Sequence, residues 1–452
     1  MKRPAILLVN PWIHDFAAYD LWARPLGLLV LATSLRKAGW EPWFLDCLDP
    51  DHPEMPRVKV RKHFHGRFSK TVIPKPPAFT GIRRTYSRYG VDPEIIRSDL
   101  SSVPRPRAIL VTSLMTYWYQ GVQETIQLLR EVFPDTPLLL GGIYASLLPK
   151  HAGEHCAAVE ILAGPGERVL FQALYRLTGV GSARGPGAAP LEFEPALDLM
   201  RCVKFLPLIT SRGCPFRCAY CASQMLFADF VQRNPQEVVH EIESRALRYG
   251  VRDIALYDDA FLVNAQKHAL PILKAVSQAA PGMRWHTPNG LHAAAITPEV
   301  ASAMKMAGFE TIRIGLESCS DQFHARTGGK TNLDAFYSAV KNLKDAGFAG
   351  HQIGVYLLVG LPGQTRSQIE DDVDRVLAVG ALPKLAEYSP IPGTRMWPEA
   401  LAAARYSIDS EPLFQNCTLL PAAAAGVDGV FLRELRRRIS ANFEVPALAV
   451  AQ

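Results

Sequence analysis

Three closely spaced cysteines constrain this chain more than any other feature of its sequence. Cys214, Cys218 and Cys221 lie in the stretch TSRGCPFRCAYCA, where glycine, proline and aromatic residues surround them. Thiolates at this spacing suit a tight loop around an iron–sulfur cluster. A 4Fe-4S cluster usually has four cysteine ligands, and the nearest further cysteine, Cys202, precedes the loop. The spacing therefore predicts a cluster with one iron left open to a small molecule.

Zinc binding and simple packing are the alternative uses of these cysteines. A structural zinc site usually combines two Cys-x-x-Cys or Cys/His halves, and no second half follows in this sequence. Cysteines that only pack in a core would not need the flanking glycine, proline and aromatic residues. The sequence favours the cluster over both alternatives.

The three-cysteine stretch, with Tyr220 directly before its last cysteine, resembles the signature of the radical S-adenosylmethionine (SAM) enzymes. The resemblance implies that the open iron binds the amino and carboxylate groups of SAM. It further implies reductive cleavage of SAM to a 5′-deoxyadenosyl radical, with electrons from a flavodoxin- or ferredoxin-type donor. In such enzymes the cofactors carry the chemistry, and the protein supplies orientation and protection.

Composition predicts a globular protein with more than one domain. The chain has 452 residues, of which 48% are hydrophobic and 20% are charged. No apolar run is long enough to span a bilayer, and Asn10-Pro11 interrupts the short apolar start too early for a signal peptide. The remaining cysteines are scattered singly, unlike a disulfide framework. We therefore expect a cytoplasmic protein with no membrane span.

Strand-like and helix-like runs alternate along most of the chain, which predicts an α/β fold. Residues 1–175 are expected to form an open parallel sheet of the Rossmann or flavodoxin type, and the Gly- and Pro-rich residues 176–204 a linker. Six strand–helix units over residues 205–400 predict a partial (β/α)6 barrel of the TIM type, with its site at the carboxyl ends of the strands. Residues 401–452 form a C-terminal segment with one basic helix.

Residues 55–91 form a basic insertion in the first domain. They contain ten Lys or Arg and no Asp or Glu, whereas the net charge of the whole chain is only +6. Basic residues interleaved with aromatic ones are typical of nucleic-acid binding. The alternative is a solvated insertion whose charges face water, or a cover that pairs with an acidic surface elsewhere. We favour this alternative because no recognised nucleic-acid module surrounds the segment.

Several strand ends of the predicted barrel carry candidate SAM contacts. Asp258, beside Asp259, either orients the amino group of SAM or caps the next helix, and both interpretations stay open. Asn289 ends the following strand, close to His286, which is equally typical of a core histidine. Glu317 lies in a Gly-Leu-Glu-Ser stretch that resembles the family segment whose glutamate contacts SAM.

Two later segments resemble the family's adenine-binding turns. Gly360 lies in VYLLVGLPGQT and Pro390 in SPIPGT, and both follow predicted strands. Cys319 stands where the family commonly has glycine; packing is the favoured interpretation, with a reactive thiol as the alternative. The ordered series of motifs covers residues 205–400.

The first domain resembles the cobalamin (B12)-binding domain that is fused to one large class of radical SAM enzymes. The resemblance implies that two segments line the nucleotide tail of cobalamin: Thr112, Ser113 and Leu114, and then Gly141 and Gly142. The Asp-x-His-x-x-Gly motif that supplies the cobalt's histidine is absent, and His52 lies nearby at the wrong spacing. Either cobalamin binds without a histidine, or the domain serves the substrate. Tyr117, Trp118 and Tyr119 are candidates to cover a corrin or to pack between domains.

These observations together predict an enzyme that methylates an unactivated carbon of an unknown substrate. Its cofactors would be a 4Fe-4S cluster, SAM and cobalamin. The first alternative is a cobalamin-independent radical rearrangement, cyclisation or oxidation. The second is an RNA-modifying enzyme similar to the methylthiotransferases, which usually have additional cluster cysteines in the N-terminal domain; only Cys47 and Cys156 occur there.

Overall fold

The computed structural model describes residues 3–56, 62–158, 160–181 and 192–443. The chain divides into two compact units, with the boundary between Val203 and Lys204. No helix within the described ranges combines the length and the apolar character that a membrane span requires.

The N-terminal unit alternates strands and helices as the sequence predicts. Its strands are β1 (Ala5–Asn10), β2 (Ile13–Asp15), β3 (Tyr19–Asp20), β4 (Glu41–Asp46), β5 (Gly66–Arg67), β6 (Lys70–Val72), β7 (Ser87–Tyr89), β8 (Ala108–Val111), β9 (Leu138–Leu140) and β10 (Glu160–Ile161). Its α-helices are α1 (Leu26–Lys37), α2 (Pro93–Ser101), α3 (Tyr119–Val132), α4 (Ile143–Leu147), α5 (Pro149–His155) and α6 (Gly166–Thr178). Short 3-10 helices cover Lys62–Phe64, Pro77–Phe79, Thr116–Trp118 and Leu197–Leu199.

Five of these strands form one parallel sheet in the order β10-β9-β8-β1-β4. Strand β1 is buried over Ile6–Val9 because helices cover both faces of a parallel sheet. The strand order reverses at β1 and β8, and open α/β sheets bind ligands beyond the carboxyl ends of the strands at such a point. The predicted open parallel sheet is confirmed.

The basic insertion builds a small antiparallel structure on this unit. Strands β6 and β7 pair with each other and β7 pairs with β2, while β5 pairs with β3. Phe79 and Tyr86 are fully buried, and Arg84 lies 4.8 Å from the ring centroid of Phe16. Lys70, Lys75 and Arg83 are exposed, so the charges of the insertion face water as expected, whereas its aromatic side chains form a small core of their own. Residues 57–61 lie outside the described residues.

The C-terminal unit contains the predicted barrel. Its strands are β11 (Leu206–Leu208), β12 (Ser211–Arg212), β13 (Val231–Gln232), β14 (Asp253–Leu256), β15 (Arg284–His286), β16 (Phe309–Glu317), β17 (Ile353–Val359) and β18 (Leu382–Glu387). Its α-helices are α7 (Ser223–Leu226), α8 (Pro235–Tyr249), α9 (Ala269–Ala279), α10 (Pro298–Ala307), α11 (Asp321–Thr327), α12 (Leu333–Asp345), α13 (Arg366–Ala378), α14 (Trp397–Ala403) and α15 (Gly429–Asn442). Short 3-10 helices cover Ala293–Ala295, Gly350–Gln352, Pro412–Gln415 and Cys417–Leu419.

Six strands form a parallel sheet in the order β11-β14-β15-β16-β17-β18. Its helices begin where the sequence supplies caps: Asn234 and Thr297 each precede a proline and accept hydrogen bonds from the first turns of α8 and α10. Parallel strands joined by helices bring all their carboxyl ends to one edge. The predicted partial barrel is confirmed, and the candidate site residues follow the strands at this edge.

Candidate active site

The three-cysteine loop follows β11 and the short strand β12, and it is shaped by Gly213. This residue has φ +77°, and a Cβ there would lie 2.4 Å from the carbonyl oxygen of Asp229. Only glycine fits such a position. The loop is also tied to the barrel, because the amide of Ala219 donates to the carbonyl of Thr327 at 2.8 Å and its carbonyl accepts from the amide of Met396 at 2.9 Å.

Asp258 holds the start of the loop rather than presenting its carboxylate to a ligand. The buried carboxylate accepts hydrogen bonds from the amide and hydroxyl of Thr210, both at 3.0 Å, and from the hydroxyl of Ser211 at 2.6 Å. It also accepts from the amide of Ser211. Burial raises the pKa of Asp258 to about 6, against the opposing effect of these hydrogen bonds. The expected contact with SAM and the expected helix cap are both replaced by a positioning role.

The three thiols form one half-exposed group. Cys214 and Cys218 are half-buried and Cys221 is exposed. Burial, together with the nearby Asp259, Cys218 and Cys221, raises the pKa of Cys214 to about 11. The amide of Ser223 donates to the sulfur of Cys221 at 3.4 Å. Thiolates that repel one another at short range suit a shared, positively charged metal group, so the donor set fits a cluster with three cysteine ligands.

Glu317 ends β16 in a backbone conformation that is unusual for a glutamate. Its φ is +73°, and its carboxylate accepts a hydrogen bond from the ammonium of Lys330 at 2.6 Å. The side chains of the two residues are only 11% and 15% exposed. Burial lowers the pKa of Lys330, but Glu317, Cys218 and Cys221 outweigh that effect and leave the pKa above its usual value.

Lys330 is a site residue that the sequence analysis missed. Its ammonium lies 5.7 Å from the ring centroid of Tyr220, and its electrostatic partners include two of the three cysteines. It follows α11 in the stretch Gly-Gly-Lys-Thr, where the two glycines were the available signal of a special backbone. A buried cation beside a buried carboxylate can bind a zwitterion, because each of the two groups can pair with the opposite charge of the ligand.

Tyr220 connects the cysteine loop to the later strand ends. Its ring stacks on Phe323 at a centroid distance of 6.2 Å, and burial raises the pKa of its hydroxyl well above the usual range. Ala219, Leu361 and Tyr388 share a hydrophobic cluster with these two rings. This hydrophobic cluster therefore brings together the three-cysteine loop and the turns after β17 and β18.

The remaining predicted SAM residues lie at the same edge of the sheet. Asn289 donates its side-chain amide to the carbonyls of Tyr257 and Asp258, at 2.9 and 3.3 Å. Gly360 has φ +81°, and its amide donates to the side chain of Gln364 at 3.0 Å. Pro390 is buried in the turn after β18. These residues follow neighbouring strands, as the motifs predicted.

Cys319 and His286 have structural surroundings. Cys319 is buried, its amide donates to the carboxylate of Asp372 at 2.7 Å, and burial raises the pKa of its thiol to about 12. His286 is fully buried and contacts Asp253 at 2.8 Å and Thr311 at 3.0 Å. Both agree with the packing interpretation.

In the N-terminal unit, the candidate cobalamin segments meet at the carboxyl edge of the sheet. The hydroxyl of Ser113 donates to the carbonyl of Gly141 at 2.6 Å. Gly142 has φ +93°, and a Cβ there would lie 2.3 Å from the carbonyl oxygen of Ser113. Thr112 follows β8 directly, and Leu114 is 38% exposed. Glycine is thus required at position 142 by the turn itself, because a side chain there would collide with Ser113.

His52 is not available as a cobalt ligand. It is 5% exposed, and its Nε2 lies 3.2 Å from the carboxylate of Asp99 and 3.1 Å from the guanidinium of Arg201. Trp118 packs within the unit against a cluster that contains Leu48 and Tyr89. A cobalamin at this edge would therefore have no axial histidine from the position that sequence analysis singled out.

Comparisons with known proteins agree with this architecture. Residues 208–376 match the model of the radical SAM superfamily. An uncharacterized methyltransferase of Pyrococcus horikoshii is 24% identical over 346 residues, which cover 69% of this chain and 74% of the relative. An anaerobic magnesium-protoporphyrin IX monomethyl ester cyclase of Cereibacter sphaeroides is 24% identical over 331 residues, which cover 64% of this chain and 53% of the relative. This chain therefore matches only about half of the cyclase.

Among solved structures, the radical SAM methyltransferase TsrM of Kitasatospora setae, with cobalamin and a 4Fe-4S cluster bound, has a similar fold. Its TM-score is 0.65 at 20% identity, and the match covers 90% of this chain and 79% of that one. The barrel of this chain is thus similar over residues 208–376 to the radical SAM superfamily, whose members use a 4Fe-4S cluster and SAM. The N-terminal unit has the predicted cobalamin-binding-like fold.

Proposed function

We propose that this enzyme methylates an unactivated carbon in a cobalamin-dependent reaction. The observation that carries the proposal is the match over 90% of the chain to a methyltransferase that holds both cobalamin and a 4Fe-4S cluster. The similarity to an uncharacterized methyltransferase of Pyrococcus horikoshii supports it. The turn at Gly141 and Gly142 supports the cobalamin part by its position, because open α/β sheets bind ligands at the carboxyl edge where this turn lies.

In this proposal Cys214, Cys218 and Cys221 hold the cluster, which supplies the electron that cleaves SAM. Glu317 and Lys330 are oppositely charged, as are the ammonium and carboxylate of the methionine part of SAM. Their buried ion pair therefore suits a partner exchange, in which Glu317 binds the ammonium and Lys330 the carboxylate. Asn289, Gly360 and Pro390 would border the nucleoside, and Tyr220 would cover the cluster.

The N-terminal unit would bind cobalamin through Thr112, Ser113, Leu114 and the glycine pair, without an axial histidine from His52. An electron donor of the flavodoxin or ferredoxin type would reduce the enzyme. We place the enzyme in the cytoplasm, because the cluster needs reducing conditions and all eight cysteines are free thiols. The substrate is an organic molecule with an unreactive carbon–hydrogen bond.

A test that needs no substrate is the transfer of a methyl group from SAM to cobalamin. The reconstituted enzyme is incubated without oxygen with hydroxocobalamin, a reductant and SAM. We expect methylcobalamin in the visible spectrum together with an equal amount of S-adenosylhomocysteine. Cleavage of SAM to 5′-deoxyadenosine without any methylcobalamin would reject the proposal and leave a radical enzyme of another kind.

Cyclisation is the second candidate, since the relative from Cereibacter sphaeroides is named as a cyclase. An RNA-modifying enzyme with a second cluster has less support. Cys47 and Cys156 are buried, and burial raises the pKa of both thiols. Neither thiol is arranged as a ligand of a second cluster.

A further inference from the structure

Two cations lie on the inner face of the barrel below the proposed SAM site. We call the side of the sheet that carries the Glu317–Lys330 pair the inner face. Gly315 faces this side, because a Cβ there would lie 3.0 Å from Glu317 Oε1 and 3.0 Å from Lys330 Nζ. Arg313 precedes Gly315 by two positions on β16 and therefore shares its face. Paired residues of parallel strands also share a face, and Gly315 pairs with Tyr356, which pairs with Lys384. Arg313 and Lys384 thus lie on the same side as the SAM site.

Arg313 reaches from β16 across the neighbouring strand. A Cβ on Gly354 would lie 2.6 Å from Nη1 of Arg313 and 3.1 Å from Cζ. The guanidinium therefore lies directly over Gly354 of β17, and its charge acts on Lys384 of β18. It donates to the carbonyl of Ile312 at 2.8 Å and is within hydrogen-bonding reach of Tyr356. A guanidinium has five N–H donors, so several remain for a ligand.

Lys384 lies on β18, which pairs with β17 on the side opposite to β16. It is half-buried, and burial, with a further contribution from the charge of Arg313, lowers the pKa of its ammonium to about 8. The hydroxyl of Tyr356 between them donates to the carbonyl of Pro288 at 2.7 Å. The phenol ring is thus held in place between the two cations.

The carboxylates of the neighbouring strands are committed to other partners. Glu317 pairs with Lys330, Glu387 pairs with Arg436, and Asp253 pairs with Arg284 and His286. Within the described residues, neither Arg313 nor Lys384 has a carboxylate partner. Two cations that are partly removed from water and repel each other are unfavourable unless an anion joins them.

We infer that Arg313 and Lys384 bind an anionic group of the substrate, either a carboxylate or a phosphate, on the inner face of the barrel. The anion site itself is inferred from Arg313 and Lys384. Only the statement that the anion belongs to the methylated substrate rests on the proposed function. Arg313 suits bidentate binding of such a group, and Lys384 adds a point charge from the opposite side. The anion would hold one end of the substrate below the SAM site at the strand ends.

The test is a titration of the full chain with inorganic phosphate and, separately, with acetate at constant ionic strength and pH 7. Binding is followed by calorimetry in wild type, Lys384→Met, Lys384→Arg and Lys341→Met. Lys341 is the matched control, because it is a surface lysine whose side chain is 74% exposed. We expect saturable binding in wild type and in the control, about tenfold weaker binding in Lys384→Met, and recovery in Lys384→Arg.

The titration is repeated with SAM present, because an anion bound at Lys330 would be displaced by SAM and one at Lys384 would remain. Binding of phosphate alone indicates a phosphorylated substrate, and binding of acetate indicates a carboxylate. The inference is overturned if neither anion binds wild type, if SAM displaces the anion, or if Lys384→Met binds as tightly as wild type.

A second measurement uses only the wild-type chain. Lysines are labelled with an amine-reactive reagent at pH 8, with and without phosphate or acetate, and the peptide that contains Lys384 is quantified. Protection of Lys384 by an anion supports the inference, and equal labelling contradicts it. Methyl transfer from SAM to cobalamin is assayed on an unlabelled portion of the same preparation, so failure of anion binding is distinguished from failure of the proposed function.

Discussion

The three cysteine thiols of the proposed cluster site share one loop whose backbone is held by neighbouring residues. Gly213 and the contacts of Ala219 hold the loop open at the carboxyl edge of the barrel. Cys319, in contrast, is buried against Asp372. The motif predicted the thiols, but the buried carboxylate of Asp258 that holds the loop could not be predicted, because its donors at Thr210 and Ser211 are distant in sequence.

Substitution of any one cysteine of the loop by alanine should remove the cluster. We expect Cys214→Ala, Cys218→Ala and Cys221→Ala each to lose most of the iron and the visible absorbance after reconstitution, because two thiolates are too few to hold the cluster. Cys319→Ala is the matched control and should retain both. Iron analysis and absorbance measure the effect, and equal iron in Cys218→Ala and wild type would refute the ligand assignment.

The Glu317–Lys330 pair allows a second prediction at this scale. Lys330→Met should bind SAM about tenfold more weakly and should lower the free energy of unfolding by about 2 kcal/mol, because it leaves Glu317 buried without its partner. The double substitution Glu317→Gln with Lys330→Met should recover part of the stability but not the affinity. Urea unfolding and equilibrium dialysis with SAM provide the two readouts. Unchanged affinity in Lys330→Met would contradict the role of this lysine.

At the scale of elements, many boundaries follow from local signals. Helices α1 and α3 end at Lys37 and Val132, shortly before Gly39 and Pro134, which are typical residues after the end of a helix. The ends of strands are predicted less exactly than the ends of helices. Strand β15 ends at His286, three residues before the predicted end at Asn289, because the length of a strand depends on pairing with its neighbours. The burial of the aromatic residues around Tyr86 was missed for the same reason.

The backbone constraint in the turn after β9 can be tested by substituting its two adjacent glycines, one at a time. Gly142→Ala should lower the free energy of unfolding by about 3 kcal/mol and abolish cobalamin retention, because its φ is positive and its Cβ would collide with Ser113. Gly141→Ala should be tolerated within about 1 kcal/mol, since the nearest atom to its Cβ lies at 3.7 Å. Thermal unfolding and the corrin spectrum after desalting compare the two variants. Equal behaviour would show that the turn is not constrained as described.

For the whole molecule, the sequence predicted both folds and the class of enzyme. It did not predict the ion pair of Glu317 with Lys330 or the position of Arg313 over Gly354. These contacts join residues on different elements and arise only when the barrel forms. The chemistry-bearing motifs could therefore be identified from the chain, whereas the charges that select ligands required the structure.

We propose that a 4Fe-4S cluster, SAM and cobalamin act together in one chain. To test this, the full chain is reconstituted without oxygen, hydroxocobalamin is added, and iron and corrin are determined in the same sample after desalting. We predict about four irons and about one corrin per chain, with SAM cleaved to 5′-deoxyadenosine on reduction. Four irons and active cleavage without retained corrin would contradict the cobalamin-dependent account.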